Sequence, residues 1–546
     1  MIQEAVPVPR RDARDARQAM LRPDWLWAAW ALLVGAALAL RPILPIDETR
    51  YVSVAWEMWH RGDFLVPYLN GQPYSDKPPL LFWLFHLGWW LFGVDEWWPR
   101  LVPPLFGLAN LFLVRSLARR LWPDRPAAAK AAPVVLLGFF FWSVFTTFMM
   151  FDMLVACAVL LALHGLWSAR SGDWRGWLLT GGALGFGVLA KGPVALVLPL
   201  GVALLAPWWA RPARRGVRWW AGLLAALAIA AAIALAWALP AAHAGGPAYA
   251  DAILLRQTEG RIVNAEAHGR PWWWYLPLLP VLLFPYSVWA PAWKAALRWR
   301  PRTGDEGTRF CLAWLLPGLL FFSLISGKQP HYLVPLLPAC ALLVVRLAGG
   351  PEVAFRRRYL VPPLAGLALV GVALEVAPLL AGRPGLPPWL GTLAPGIGLV
   401  LLVLAAAAWF AWERLFSGGL PAALSLVSLA LALGLHIGFS EIARQSYDLE
   451  PIARYVAVLQ QQGRPIAFVG EYHGQLHFLG RLEEPFEILL PGAERLWVER
   501  HPRGKVIQDL DYTPPDLRRA DFSQPYRDDM LAVWGKESLL HPAPSG

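Results

Sequence analysis

Residues 218–241 read RWWAGLLAALAIAAAIALAWALPA, an apolar run whose one charge, Arg218, sits at its edge. About 20 consecutive apolar residues suffice to cross a bilayer as a helix. This run therefore reads as a membrane span, and outward from it the rest of the 546-residue chain reads the same way. Of the whole, 57% is hydrophobic and only 16% charged. A soluble multidomain chain carries roughly a quarter charged residues, so an integral membrane protein is expected. Candidate spans fall near 24–41, 99–119, 131–149, 150–168, 176–191, 192–209, 218–241, 272–293, 309–325, 330–346, 358–381, 389–411 and 420–439, thirteen in all. The first is too long, and its small-residue pattern too weak, for a cleaved signal. Cys157, Cys311 and Cys340 all lie in apolar stretches without CxxC spacing. They read as small buried hydrophobes and exclude a disulfide framework.

The 49 Lys+Arg outnumber the 38 Asp+Glu by 11. Placing the N-terminus in the cytoplasm puts the basic clusters Arg10–Arg22, Arg115–Lys130, Arg211–Arg218, Lys294–Arg309 and Arg346–Arg358 in inner segments. That asymmetry fixes orientation. Contact with anionic lipid accounts for the excess charge without a nucleic-acid partner. An odd span count sends the polar residues 440–546 to the outer face, where an amphipathic helix over Asp448–Gln462 and a strand over Arg464–Gly470 predict a small α/β domain. The 32 tryptophans suit interfacial belts, as at Trp97–Trp98 and Trp272–Trp274.

Ionisable residues at membrane depth are costly and mark functional sites. Here they gather on the outer side. The long first outer loop, 42–98, carries Asp47-Glu48-Thr49-Arg50-Tyr51 and Tyr74-Ser75-Asp76-Lys77-Pro78-Pro79. As a purely structural residue Asp47 would be a helix N-cap, and Lys77 a side chain snorkelling to the interface; Pro78-Pro79 opens the next helix. Asp152 begins an apolar run with no basic neighbour in sequence, so it must face a cavity or a cation. Lys191 and Lys328 sit at outer turns, and outer loop 243–271 adds Glu259, Arg261, Glu266, His268 and Arg270. A cationic cleft open to lipid suits the phosphate of a lipid carrier, since Lys and Arg bind phosphate and stabilise it as a leaving group. A transporter or a plain anion site would use similar residues. No P-loop and no Gly-rich dinucleotide fingerprint is present.

Taken in order over residues 24–345, these motifs, with Gly62-Asp63, Val66-Pro67, Lys191-Gly192, Pro330 and Tyr332, resemble the GT-C glycosyltransferases of the protein O-mannosyltransferase superfamily. Within it they look most like bacterial lipid A aminoarabinose transferases. The resemblance implies an all-α polytopic fold of about thirteen spans over 1–439 and a periplasmic α/β domain over 440–546, in the bacterial inner membrane. It implies transfer of a sugar, such as 4-amino-4-deoxy-L-arabinose, from undecaprenyl phosphate to lipid A with inversion, by a monomer. Asp47 and Asp152 would be the catalytic acids. Lys77, Arg261, Tyr332 and Lys191 would bind the donor phosphate. Glu48, Arg50, Tyr51, Tyr74, Arg270 and Lys328 would line the substrate cavity. No cofactor is required; zinc is the candidate metal, with Asp76 and His268 as its ligands. The sequence departs from the family pattern at Asp76, where Glu is usual, at Gln257, where a second histidine is expected, and at Gln329-Pro330-His331, where Leu-Pro-Thr is more familiar. Protein hydroxyls or another surface glycan remain open as acceptors.

Overall fold

The computed structural model describes residues 24–210, 216–256, 269–298, 305–348, 357–383, 388–394, 396–410, 420–510 and 517–540. Among the described residues seven helical stretches are long and apolar enough to cross a membrane, including Trp97–Leu121, Asp152–Ala169, Val217–Gly245 and Glu306–Leu324, and shorter apolar helices such as Pro126–Gly138 and Ile397–Phe410 fill in the bundle. The chain is a multi-pass membrane protein. Cys157, Cys311 and Cys340 are free thiols, the first two buried.

Several expected spans are not continuous helices: 131–149 divides into Pro126–Gly138 and Phe140–Phe145, 192–209 into Val194–Leu204 and Ala206–Trp209, and 272–293 is the most broken. Residues 272–278 form turns, followed by the short segments Leu279–Leu282, Tyr286–Val288 and Ala290–Arg298. The cause is Pro277, Pro280, Pro285 and Pro291. Each removes a backbone donor and clashes with the preceding turn.

Residues 41–93 fold against the bundle rather than looping freely. The helix Asp24–Leu40 ends under Arg100, whose Nη2 donates to Ala37 O at 3.0 Å and Arg41 O at 2.6 Å. A buried cation there satisfies orphan carbonyls and opposes the helix dipole. The helix Asp47–Arg61 follows and ends at Gly62, with φ +69°. Asp63 Oδ1 then accepts from Leu65 N and Val66 N, turning the chain into the hairpin Tyr68–Leu69/Gln72–Pro73. Its two-residue turn, Asn70-Gly71, has φ +53° and +77°. Asn-Gly tolerates two positive φ values and so favours the turn that matches strand twist. The helix Leu80–Phe92 completes the segment.

Residues 450–510 and 517–540 form an α/β unit. Its five-stranded sheet runs Glu487–Leu489, Ile466–Val469, Lys505–Leu510, Asp529–Trp534, Phe522–Tyr526. The first three strands are mutually parallel and the last two antiparallel. The helix Glu450–Gln461 buries Ile452, Val456 and Leu459 among Phe468, Ile507 and Val533 on one face. The helix Glu494–Arg500 covers the other with Trp497 and Val498.

This unit docks on the Asp47–Arg61 helix and the hairpin. Trp56 Nε1 donates to Leu482 O at 2.8 Å, and Phe478 stacks on Trp89 with ring centroids 5.4 Å apart. Asn70 bonds Phe486 twice, donating Nδ2 to its carbonyl at 2.9 Å and accepting its N–H at 2.7 Å. Asn70→Ala removes both bonds and a residue that tolerates positive φ. It is expected to weaken the dock by about 2 kcal/mol. Limited proteolysis of the full chain should then release the 450–540 region faster, and an unchanged cleavage rate would count against the dock.

Candidate active site

Helix ends build the site. Asp47 is the first residue of Asp47–Arg61, Asp152 the first of Asp152–Ala169, and Lys191 the last of Arg175–Lys191. Carboxylates are favoured at helix N-termini and cations at C-termini. The two membrane helices pack side by side, so Asp152 and Lys191 meet. Lys191 Nζ lies 2.6 Å from Asp152 Oδ1, with the carboxylate side chain only 2% exposed. Asp152 thus finds the cation that its burial demands. Its Oδ2 has no hydrogen-bond partner among the described residues. Lys191 Nζ also sits 5.1 Å from the centroid of the Tyr332 ring. Tyr332 lies in the 3-10 turn Pro330–Leu336 beside His331, which stacks on Phe145 at 5.5 Å. His331 is within electrostatic range of Asp152, Lys191, Asp47 and Lys77.

Asp47 is exposed and makes no capping bond; Ile46 occupies the N-cap position. Among the described residues its hydrogen-bond contact is the Tyr51 hydroxyl, 3.4 Å from Oδ1. Tyr51 packs edge-on against Phe151 at 4.9 Å, and Phe151 against Phe82. Tyr74 is buried, in electrostatic contact with Asp76, Arg50 and Asp47. Burial above all, and then Asp47, push the Tyr51 hydroxyl well above its ordinary pKa, so it stays protonated and serves Asp47 as a donor. Lys77, half-buried, directly precedes Pro78-Pro79 and the helix Leu80–Phe92. Asp47, Asp152, Lys77, Lys191, Tyr51, Tyr74, Arg50 and Tyr332 therefore converge.

Two expected cavity residues are committed elsewhere. Glu48, adjacent to Asp47, is buried in a two-pronged pair with Arg41, at 2.6 and 2.9 Å. Its oxygens also accept from Leu44 N at 2.9 Å and Met149 N at 2.8 Å. It ties the helix start to the segment before Asp152. Lys328 is buried, and its Nζ donates to Arg270 O at 2.8 Å and to Ile325 O. With the Gly269–Gly327 bridge it joins two loops. Arg270 is exposed, its guanidinium 6.0 Å from the Trp274 ring centroid. Arg261 and His268 lie outside the described residues.

Among the described residues no group of three or more His, Cys, Asp and Glu side chains could hold a metal ion. Asp76 is the one expected ligand described, and it brings too few donors for a zinc site. Two histidines were not assigned roles from sequence. His331 could have been found, since it stands inside the Lys328–Tyr332 motif. His473 could not. It lies in the α/β unit, yet it is in electrostatic range of Arg50, Glu471, Asp47 and Asp76.

A helical membrane bundle whose acidic helix ends meet lysines under an α/β cover is a recognisable architecture. It is a fold shared with solved membrane-protein structures. The crystal structure of ArnT from Cupriavidus metallidurans in the apo state matches it with a TM-score of 0.71 at 21% identity, covering 94% of this chain and 98% of that one. The same protein bound to undecaprenyl phosphate matches with a TM-score of 0.69 over the same shares. Residues 76–237 match the family described as dolichyl-phosphate-mannose-protein mannosyltransferase. In sequence, the chain is 35% identical over 365 residues to the undecaprenyl phosphate-alpha-4-amino-4-deoxy-L-arabinose arabinosyl transferase of Pseudomonas aeruginosa (strain UCBPP-PA14), covering 63% of this chain and 64% of that protein. It is 31% identical over 374 residues to the protein of the same name in Erwinia tasmaniensis, covering 66% and 64%. The chain thus matches a little under two thirds of the length of these curated relatives. The expected likeness to aminoarabinose transferases and the expected fold are both met.

Proposed function

We propose that this protein transfers 4-amino-4-deoxy-L-arabinose from undecaprenyl phosphate to lipid A at the periplasmic face of the bacterial inner membrane. The N-terminus is then cytoplasmic, residues 1–439 form the catalytic membrane domain, and residues 440–546 form a periplasmic domain. The observation that carries this reading is the convergence of Asp47 with Asp152, Lys191 and Lys77 around His331 and Tyr332. The activity for which the relatives are named supports this sugar and this carrier.

The reaction is a single displacement. The acceptor oxygen attacks the anomeric carbon from the face opposite the carrier. The bond from that carbon to the carrier phosphate oxygen breaks, and the phosphate leaves with the electron pair. Lys77 stabilises the charge that grows on it, together with Arg261, and Tyr332 holds its place. Such preorganised cations act where charge develops. Asp152 fixes Lys191 against Tyr332, so Lys191 shapes the cavity while already paired. Asp47 orients the acceptor oxygen and takes its proton when that oxygen is a hydroxyl. A phosphate acceptor has a second pKa near ~6 and is largely ionised already, so Asp47 then positions only.

The test is mass spectrometry of lipid A and surface glycans from cells lacking the protein, complemented with wild type or Lys77→Ala at equal protein levels. A lipid A substituent lost on deletion and restored by wild type alone is expected. A loss confined to another glycan or to a protein would keep the chemistry and change the acceptor. Unchanged glycans, or full complementation by Lys77→Ala, would overturn the reading.

A further inference from the structure

The segment Gly470–Leu476 leaves the strand Ile466–Val469 and crosses the Asp47–Arg61 helix. The crossing is close. Gly474 has φ +79°, and a Cβ there would stand 2.6 Å from Leu69 Cδ1, 3.2 Å from Ser53 Cβ and 3.6 Å from Arg50 Cα. Glycine alone fits both the conformation and the space. Ser53 locks the crossing, donating Oγ to Gly474 O at 2.6 Å and accepting from Phe478 N at 3.0 Å. Next to this clasp His473 N donates to Gln475 Oε1 at 2.8 Å. The His473 side chain keeps 26% of its surface exposed, with Nδ1 3.7 Å from Glu471 Oε1.

The charged groups around the site fall into two sets. His331 is in electrostatic range of Asp152, Lys191, Lys77 and Asp47. His473 is in range of Arg50, Glu471, Asp76 and Asp47. Asp47 is the member they share. A displacement brings two substrates together at one point, so a residue common to two sets marks where they meet. The first set holds Lys77, assigned to the donor phosphate, and Lys191, which lies against Tyr332. The second has exposed Glu471, Asp76 and Asp47 around a histidine and half-buried Arg50, which contacts the Tyr74 hydroxyl.

We propose that the Glu471–Gln475 loop is the acceptor wall of the active site, with His473 and Arg50 together receiving a phosphate group of the glycolipid acceptor beside Asp47. This rests on the transferase reading above and assigns its second substrate a place. Arg50 supplies planar N–H donors that suit phosphate oxygens. His473 adds a ring N–H from the other side. The α/β unit is then part of the site, since it contributes a binding residue.

The experiment uses the full chain in lipid nanodiscs with undecaprenyl phosphate aminoarabinose as donor. The acceptor is either lipid A carrying both phosphates or the same lipid A after enzymatic dephosphorylation. His473→Ala is expected to raise the KM for phosphorylated lipid A about tenfold, the loss of one charge-assisted hydrogen bond. The donor KM and kcat should stay within about twofold. His473→Gln, which keeps an N–H donor, should recover part of the loss. Gly474→Ala, which keeps the histidine and displaces its loop, should raise the acceptor KM as well. Wild type should discriminate against dephosphorylated lipid A, and His473→Ala should lose part of that discrimination. An unchanged acceptor KM in an active His473→Ala protein overturns the proposal, as does an equal rise in donor KM. No transfer by wild type to either acceptor would instead sink the transferase reading beneath it.

Discussion

Glu48→Ala is expected to lower stability by about 3–5 kcal/mol, the cost of leaving one member of a buried ion pair without its partner. Arg41 would keep its contact with Thr147 O but lose both carboxylate bonds, and Leu44 N and Met149 N would lose their acceptor. The loss should appear as a large fall in the melting temperature of the detergent-solubilised protein, with activity falling through loss of folded protein. Arg41→Met with Glu48→Leu should regain much of the stability, because apolar replacement removes both desolvation costs. The pair also sets a pH dependence. Burial raises the Glu48 carboxyl, but Arg41 and the backbone N–H groups of Leu44 and Met149 outweigh it, and the net pKa is lowered. A depressed folded-state pKa stabilises above the unfolded value of about 4.3. That contribution is lost as pH falls through the folded-state value. A Glu48→Ala protein that melts like wild type would show that the pair carries no net stability.

One residue earlier the expectation reverses. Asp47→Asn should leave the melting temperature unchanged, since Asp47 is exposed and caps no helix. Its effect should fall on kcat. With a hydroxyl acceptor the loss of a general base costs about 10²- to 10⁴-fold. With a phosphate acceptor, already ionised, a loss of only about tenfold is expected, from misplacement alone. The size of the drop therefore reports what kind of oxygen attacks. A wild-type kcat would remove Asp47 from the mechanism.

These adjacent acids show where sequence reading succeeds and where it stops. Asp47-Glu48 stands out in sequence as a pair of acids in an outer loop, and both belong near the site. Which one is functional depends on Arg41 and on the backbone of Met149, and no local pattern reports that distant contact. Lys328 illustrates the same limit. As a lysine at an outer turn it matched Lys191, but backbone carbonyls surround it and a carboxylate meets Lys191. Asp152 was more legible, because a buried acid without a basic neighbour in sequence needs one in space, and Lys191 supplies it. The bundle was legible from apolar run length, and the break over 272–293 was present in its prolines. His473 was out of reach. The tail reads as a separate polar unit, and its docking on the Asp47–Arg61 helix, with the clasp of Ser53 on Gly474, brings it to Asp47.

That clasp has a consequence for the timing of biogenesis. Gly474 and Phe478 follow every apolar helix of the bundle in chain order, so they leave the ribosome after the membrane part has been inserted. A stalled or prematurely released chain would present the Asp47–Arg61 helix without the loop that clasps it at Ser53. The surroundings of Asp47 are then completed in one step, late in synthesis.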